Sequence, residues 1–243
     1  MPRSKREEAR ALRISGLQKL TLLDYPGRVA CTVFTGGCNF RCPFCHNAPL
    51  VLPERLQGDE NGEETVLAFL KKRQGILDGV AVTGGEPTLQ PDLADFLRRV
   101  KDLGFAVKLD TNGARPDVLR SLLAESLADY VAMDVKSSPA GYGRCAGVSD
   151  KVLAPVGESI RLLETSGVDH EFRTTAVKGL HTPEDFAAIG LWLADTDKYF
   201  IQSYADSGDI LEPGMAAFSR EELEELLAAV RTHIPHAQLR GVD

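Results

Sequence analysis

The chain has 243 residues, 43% hydrophobic and 26% charged, with a formal net charge of -7 at neutral pH. That balance can bury a sizeable core and sets the chain apart from disordered or fibrous classes. The negative charge argues against general binding to nucleic acid or to an anionic membrane surface, and no apolar run approaches the ~18 residues of a membrane span.

Residues 1–13, MPRSKREEARALR, are charged throughout and lack the apolar segment of a secretory signal. They read as a flexible tail before one domain over residues 14–243, with the cytoplasm as the expected compartment. The run RVACTVFT at 28–35 is expected as the first strand, with Cys31 packed in the core. A helix follows over Glu63–Gln74, then a strand at Gly79–Thr83. Leu93, Phe96, Leu97, Val100 and Leu103 fall at helical spacing. Ala106–Asp110 reads as a strand, Pro116–Ala124 as a helix and Tyr130–Val135 as a strand.

The second half repeats the rhythm, with a helix over Gly157–Thr165 and a strand over His170–Ala176. Thr182, Pro183 and Asp185 form a helix start, because a hydroxyl cap is followed by proline at the first position and an acid three on. Tyr199–Ser203 is a sixth strand, and Ser219 with Glu222 opens a last helix. Six strands separated by helices imply parallel β/α units with right-handed crossovers. Six units fall short of the eight that close a barrel. The expected class is α/β, a partial (β/α)6 TIM-like barrel, open at the side.

Cys38, Cys42 and Cys45 give the spacing C-x3-C-x2-C just after the first strand. Three thiolates on one loop can hold three corners of a cubic iron–sulfur cluster, leaving one iron without a protein ligand. A structural zinc ion is the alternative, but it needs a fourth ligand such as the adjacent His46 or the distant Cys145. Buried thiols without a metal are the third. With 5 cysteines and no secretory segment, disulfides are the poorest reading.

Polar runs collect at the strand ends, where barrel enzymes place their chemistry. Gly84 and Gly85 allow a backbone to approach a ligand, and Glu86 offers a carboxylate to an amine; an ordinary turn explains the same run. Asp110 and Asp134 are hard-oxygen donors suited to a small cation, or a helix cap and one half of an ion pair with Lys136. Arg173, in an apolar strand, needs a bound or a protein carboxylate. Phe44 either faces a planar ring or packs its loop.

These runs carry a resemblance. CNFRCPFCH (38–46) and GGEP (84–87) resemble the radical S-adenosylmethionine (SAM) superfamily. DTNG (110–113), MDVK (133–136) and LLDYPG (22–27) narrow it to glycyl-radical enzyme activases. ISGLQKLTLLDYPG with CHNAPL looks most similar to activating proteins of anaerobic ribonucleoside-triphosphate reductase. The likeness covers nearly the whole chain from Ile14.

The resemblance implies that Cys38, Cys42 and Cys45 ligate a 4Fe-4S cluster whose open iron chelates SAM. It places Gly84, Gly85 and Glu86 at the methionyl amine, Lys136 and Arg173 at the carboxylate and ribose, and Phe44 at the adenine. Asp110, Thr111, Asp134 and the Ala132 carbonyl are implied as donors to a monovalent cation beside the cofactor, with Asp110 and Asp134 also counted among its contacts. The implied reaction is reductive cleavage of SAM to a 5′-deoxyadenosyl radical, which takes hydrogen from a glycine of a partner enzyme. No catalytic side chain is implied beyond cluster and cofactor, and the electron donor is flavodoxin or ferredoxin.

Several activases carry an inserted ferredoxin-like domain after the cluster loop. Here only about seventeen residues separate Cys45 from Glu63, with no cysteine among them. Three rivals remain: a pyruvate formate-lyase-type activase, a small-molecule enzyme such as 7-carboxy-7-deazaguanine synthase, and a metal-binding module without catalysis.

Overall fold

The computed structural model describes residues 12–52, 62–206 and 208–242. Residues 1–11 of the expected tail, and residues 53–61 of the short connection to Glu63, lie outside them. Leu12 and Arg13, also expected in the tail, are docked: Leu12 is fully buried, and the Arg13 carbonyl accepts from the Gly36 N–H at 3.0 Å.

The described residues form two compact units. The first gathers those up to Asn39 with Pro49–Thr111 and Asp117–Val131; the second gathers Phe40–Ala48, Asn112–Pro116 and the chain from Ala132 onward. The strands are β1 (Ile14–Thr21), β2 (Ala30–Thr35), β3 (Gly79–Gly84), β4 (Ala106–Thr111), β5 (Tyr130–Asp134), β6 (Asp169–Ala176), β7 (Tyr199–Ser203) and β8 (Gln238–Arg240). The helices are α1 (Ala48–Val51), α2 (Glu63–Lys71), α3 (Leu93–Asp102), α4 (Pro116–Ala124), α5 (Tyr142–Ala146), α6 (Leu153–Ser166), α7 (Pro183–Trp192) and α8 (Arg220–Arg231).

In the first unit, β1 runs antiparallel to β2, with Ile14 opposite Thr35 and Thr21 opposite Ala30, whereas β2–β3 and β3–β4 are parallel. Parallel strands are covered on both faces, so β2 and β3 read as nearly continuous apolar runs: Ala30, Cys31, Val33, Val80, Ala81 and Val82 are all fully buried. α3 contributes Phe96, Leu97 and Val100 to this core while its Arg98 pairs with Asp95 on the outer face.

The second unit repeats the parallel step, with Phe172 beside Tyr199 and Gln202 beside Arg240. Both expected capping boxes are present. The Thr182 hydroxyl accepts from the Asp185 N–H and the Ser219 hydroxyl from the Glu222 N–H, with each acid reaching back to the cap. In both units hydrogen-bonded neighbours follow chain order. The six expected strands and the expected helices all occur, while β1, β8, α1 and α5 are additions. No helix among the described residues is long and apolar enough to cross a membrane.

Candidate functional site

The first unit holds Cys38, Gly84, Gly85, Glu86, Asp110 and Thr111. β3 ends on Gly84 at φ 119, and the next turn is knitted onto the residues before Cys38. The Gly85 N–H donates to the Thr35 carbonyl and the Glu86 N–H to the Gly37 carbonyl, both at 2.8 Å. A Cβ on Gly85 would lie 2.0 Å from the Gly37 oxygen, and one on Gly84 2.3 Å from the Thr35 nitrogen. Backbone must pass backbone here, so only glycine fits. Gly85→Ala is expected to cost more than the ~1–3 kcal/mol usual for overpacking, because backbone cannot swing away. A circular-dichroism melt within about 2 °C of wild type would contradict this.

Glu86 is 1% exposed. Its Oε1 accepts from the Thr88 N–H (3.1 Å), the Thr88 hydroxyl (2.5 Å) and the Thr111 hydroxyl (2.7 Å). The carboxylate thus caps a short turn and ties it to the end of β4. Asp110 lies within β4, where its Oδ1 is held by the ammonium of Lys108, which is 1% exposed.

Cys42, Cys45, Phe44, Ala132, Asp134, Lys136 and Arg173 belong to the second unit. The Cys45 N–H donates to the Cys42 carbonyl at 3.0 Å, setting both cysteines on one tight turn. Two long-range bonds anchor this run, from the Arg41 N–H to the Ala146 carbonyl (2.9 Å) and from the Glu212 N–H to the Pro43 carbonyl (3.0 Å). Phe44 is buried edge-on against His181, with ring centroids 6.3 Å apart. The His181 ring accepts the Val177 N–H at Nδ1 (3.1 Å), so Nε2 carries the proton and donates to the Lys136 carbonyl (2.9 Å). Burial lowers the His181 pKa, outweighing the hydrogen bond to the Lys136 carbonyl and the charge of Asp185, which raise it.

Asp134 lies between Lys136 Nζ (3.1 Å) and Arg173 Nε (2.9 Å). Burial alone would raise its pKa, but the two cations hold it well below the carboxylate range. Burial would likewise depress Lys136, and the charge of Asp134, helped by Cys42, outweighs it and raises the ammonium's pKa. A lowered carboxylate gives stability that is present above about pH 4 and lost as pH falls; a raised ammonium gives stability present below about pH 10 and lost as pH rises. The melting temperature is therefore expected to stay flat between these limits, and to fall at both ends more steeply in wild type than in Asp134→Asn. Superimposable curves would contradict the pairing.

Sequence reasoning missed Arg173's second neighbourhood. Glu171, 1% exposed, lies 4.0 Å from Arg173 and takes two bonds from Arg240, at 2.7 and 3.0 Å. Lys136, Arg173 and Arg240 thus meet Asp134 and Glu171 in one partly water-excluded cluster. Strand alternation from Arg173 to Glu171 was the available signal; Arg240 offered none. Cys31 and Cys145 are fully buried, Cys31 with its thiol pushed up to about 12 by burial. Among the described residues, no three His, Cys, Asp or Glu side chains gather closely enough to hold a single metal ion.

The Radical SAM superfamily model matches residues 32–191. A glycyl-radical enzyme activating enzyme of Methanocaldococcus jannaschii is 31% identical over 236 residues, covering 95% of this chain and 96% of that protein. A 7-carboxy-7-deazaguanine synthase of Methanopyrus kandleri is 31% identical over 60% of this chain and 66% of that one. The pyruvate formate-lyase-activating enzyme of Clostridium pasteurianum is 33% identical over 64% and 65%. Among solved structures, Streptococcus suis SuiB bound to S-adenosylmethionine superposes with a TM-score of 0.66 at 15% identity, over 84% of this chain and 48% of that one. That likeness concerns the fold, an α/β fold with an open parallel sheet.

Proposed function

Since the chain belongs to the radical SAM superfamily, we propose that it is a glycyl-radical enzyme activase whose partner is an anaerobic ribonucleoside-triphosphate reductase. The observation that carries the activase reading is the end-to-end relation to a glycyl-radical enzyme activating enzyme, over 95% of this chain. The choice of reductase rests on the resemblance of residues 14–27 and 45–50 alone. Cytoplasmic placement and a flavodoxin or ferredoxin donor belong to the same proposal.

The residues suit the cofactors this reading requires. Cys38, Cys42 and Cys45 form no disulfide, Cys38 and Cys45 are partly exposed, and each would hold one iron of a 4Fe-4S cluster. When bound and reduced, that cluster with SAM supplies a one-electron cleavage able to generate a hydrogen-abstracting radical. The chain's own contribution is to hold and orient. The Gly84–Gly85 backbone with Glu86 receives the methionyl amine. Lys136 and Arg173 receive its carboxylate and ribose, with Asp134 keeping both side chains in place. Phe44, fixed by His181, borders the adenine.

The deciding measurement is electron paramagnetic resonance of a co-encoded anaerobic reductase, incubated without oxygen with the cluster-reconstituted chain, SAM and a reductant. A glycyl-radical doublet is expected. Formation of 5′-deoxyadenosine with no radical on the reductase would sink the reading. The deazaguanine synthase relative supports a small-molecule reading over a smaller share of the chain; nucleobase-dependent consumption of SAM would favour it.

A further inference from the structure

Two of the donors that the resemblance assigns to a monovalent cation, Asp134 and Asp110, are already paired with side-chain cations, each within its own unit. Asp134 lies between Lys136 and Arg173. Asp110 is bonded to the ammonium of Lys108. A dissolved ion at Asp110 would meet a carboxylate whose charge the Lys108 ammonium already matches, so Asp110 does not fit one.

Lys108 is the unusual member. It sits in β4 between Val107 and Leu109, both fully buried, and is itself 1% exposed. Its register neighbour across β3 is Ala81, also fully buried. Burying an ammonium among such groups is costly unless a carboxylate and hydrogen bonds compensate it. The carboxylate is Asp110, two residues on and therefore on the same face of the strand. An alkylammonium carries the same single charge as a sodium or potassium ion, and attached to the backbone it cannot be diluted away.

We propose that Lys108 supplies, from within the chain, the positive charge at Asp110 that the resemblance assigns to a dissolved monovalent cation, so that SAM binding here needs neither sodium nor potassium. The inference rests on SAM being the ligand of this site.

The test is the dissociation constant of SAM for the cluster-reconstituted protein, by calorimetry, in chloride salts of potassium, sodium and the bulky tetramethylammonium. Wild type is expected to agree within about twofold across the three. Lys108→Met is expected to bind about tenfold more weakly in tetramethylammonium and to recover in potassium or sodium, while Lys108→Arg stays indifferent to the salt. Wild-type binding that weakens about tenfold in tetramethylammonium and returns with potassium overturns the proposal. So does a Lys108→Met protein that binds normally in every salt, or weakly in every salt. Should Lys108→Met fail to fold, the wild-type series decides alone. Absence of SAM binding by wild type in all three salts would instead remove the functional reading beneath the inference.

Discussion

Replacing Cys42 by alanine is expected to give a folded protein that retains almost no iron after anaerobic reconstitution and cleaves SAM at least about a hundredfold more slowly. Losing a group that merely supports a metal ligand costs about 10–100-fold, so losing a ligand lies at or beyond that limit. The fold should survive, because the change removes one sulfur atom while the bonds from Arg41 to Ala146 and from Glu212 to Pro43 use backbone atoms alone. Cys38→Ala and Cys45→Ala should behave alike. Cys31→Ala and Cys145→Ala, whose thiols are fully buried and lie outside the C-x3-C-x2-C run, should keep their iron. Iron content and the visible absorption of the reconstituted proteins decide it: a Cys42→Ala protein with full iron, or a Cys145→Ala protein without it, would refute the ligand assignment.

Arg240→Ala is expected to lower the melting temperature by about 6–12 °C, from a site only a few residues before the end of the chain. Arg240 makes two hydrogen bonds to Glu171 and lies over the Phe200 ring at 3.6 Å from its centroid. Stripping a buried carboxylate of its partner costs about 3–5 kcal/mol. Arg173 at 4.0 Å offsets part of this, so about 3 kcal/mol is the better figure, and each kcal/mol moves a chain of this size by ~2–4 °C. The double variant with Glu171→Gln should recover much of the loss, since no ionised carboxylate is then left behind. A shift below about 2 °C in the single variant, or no recovery in the double, would show that the pair is not coupled.

What could be read in advance divides by range along the chain. Pro116–Ala124 and Tyr199–Ser203 occur with the expected bounds, because apolar periodicity is a local property. The two capping boxes are local for the same reason, spanning three residues each. β1 escaped because its middle residues Gln18, Lys19 and Leu20 are exposed, giving an antiparallel strand without the apolar run of its parallel neighbours. β8 has three residues and α5 five, too few for any period to declare itself. In the candidate site, the strand-end positions were legible, whereas their partners were not. Nothing near Arg173 in sequence announces Arg240, and nothing near Phe44 announces His181. Lys108 was the legible omission: a charged residue in an apolar strand, two before a named aspartate.

The anchoring of the cysteine run also fixes an order of events in time. Arg41 and Pro43 find their backbone partners at Ala146 and Glu212, each more than 100 residues further along the chain. Contacts that distant close late, since the loop entropy must be spent before they return anything. During synthesis Cys42 and Cys45 therefore emerge long before the segments that shape their turn. Iron added before those segments are made would, on the proposed reading, meet an unshaped turn open to oxidation and to competing metals.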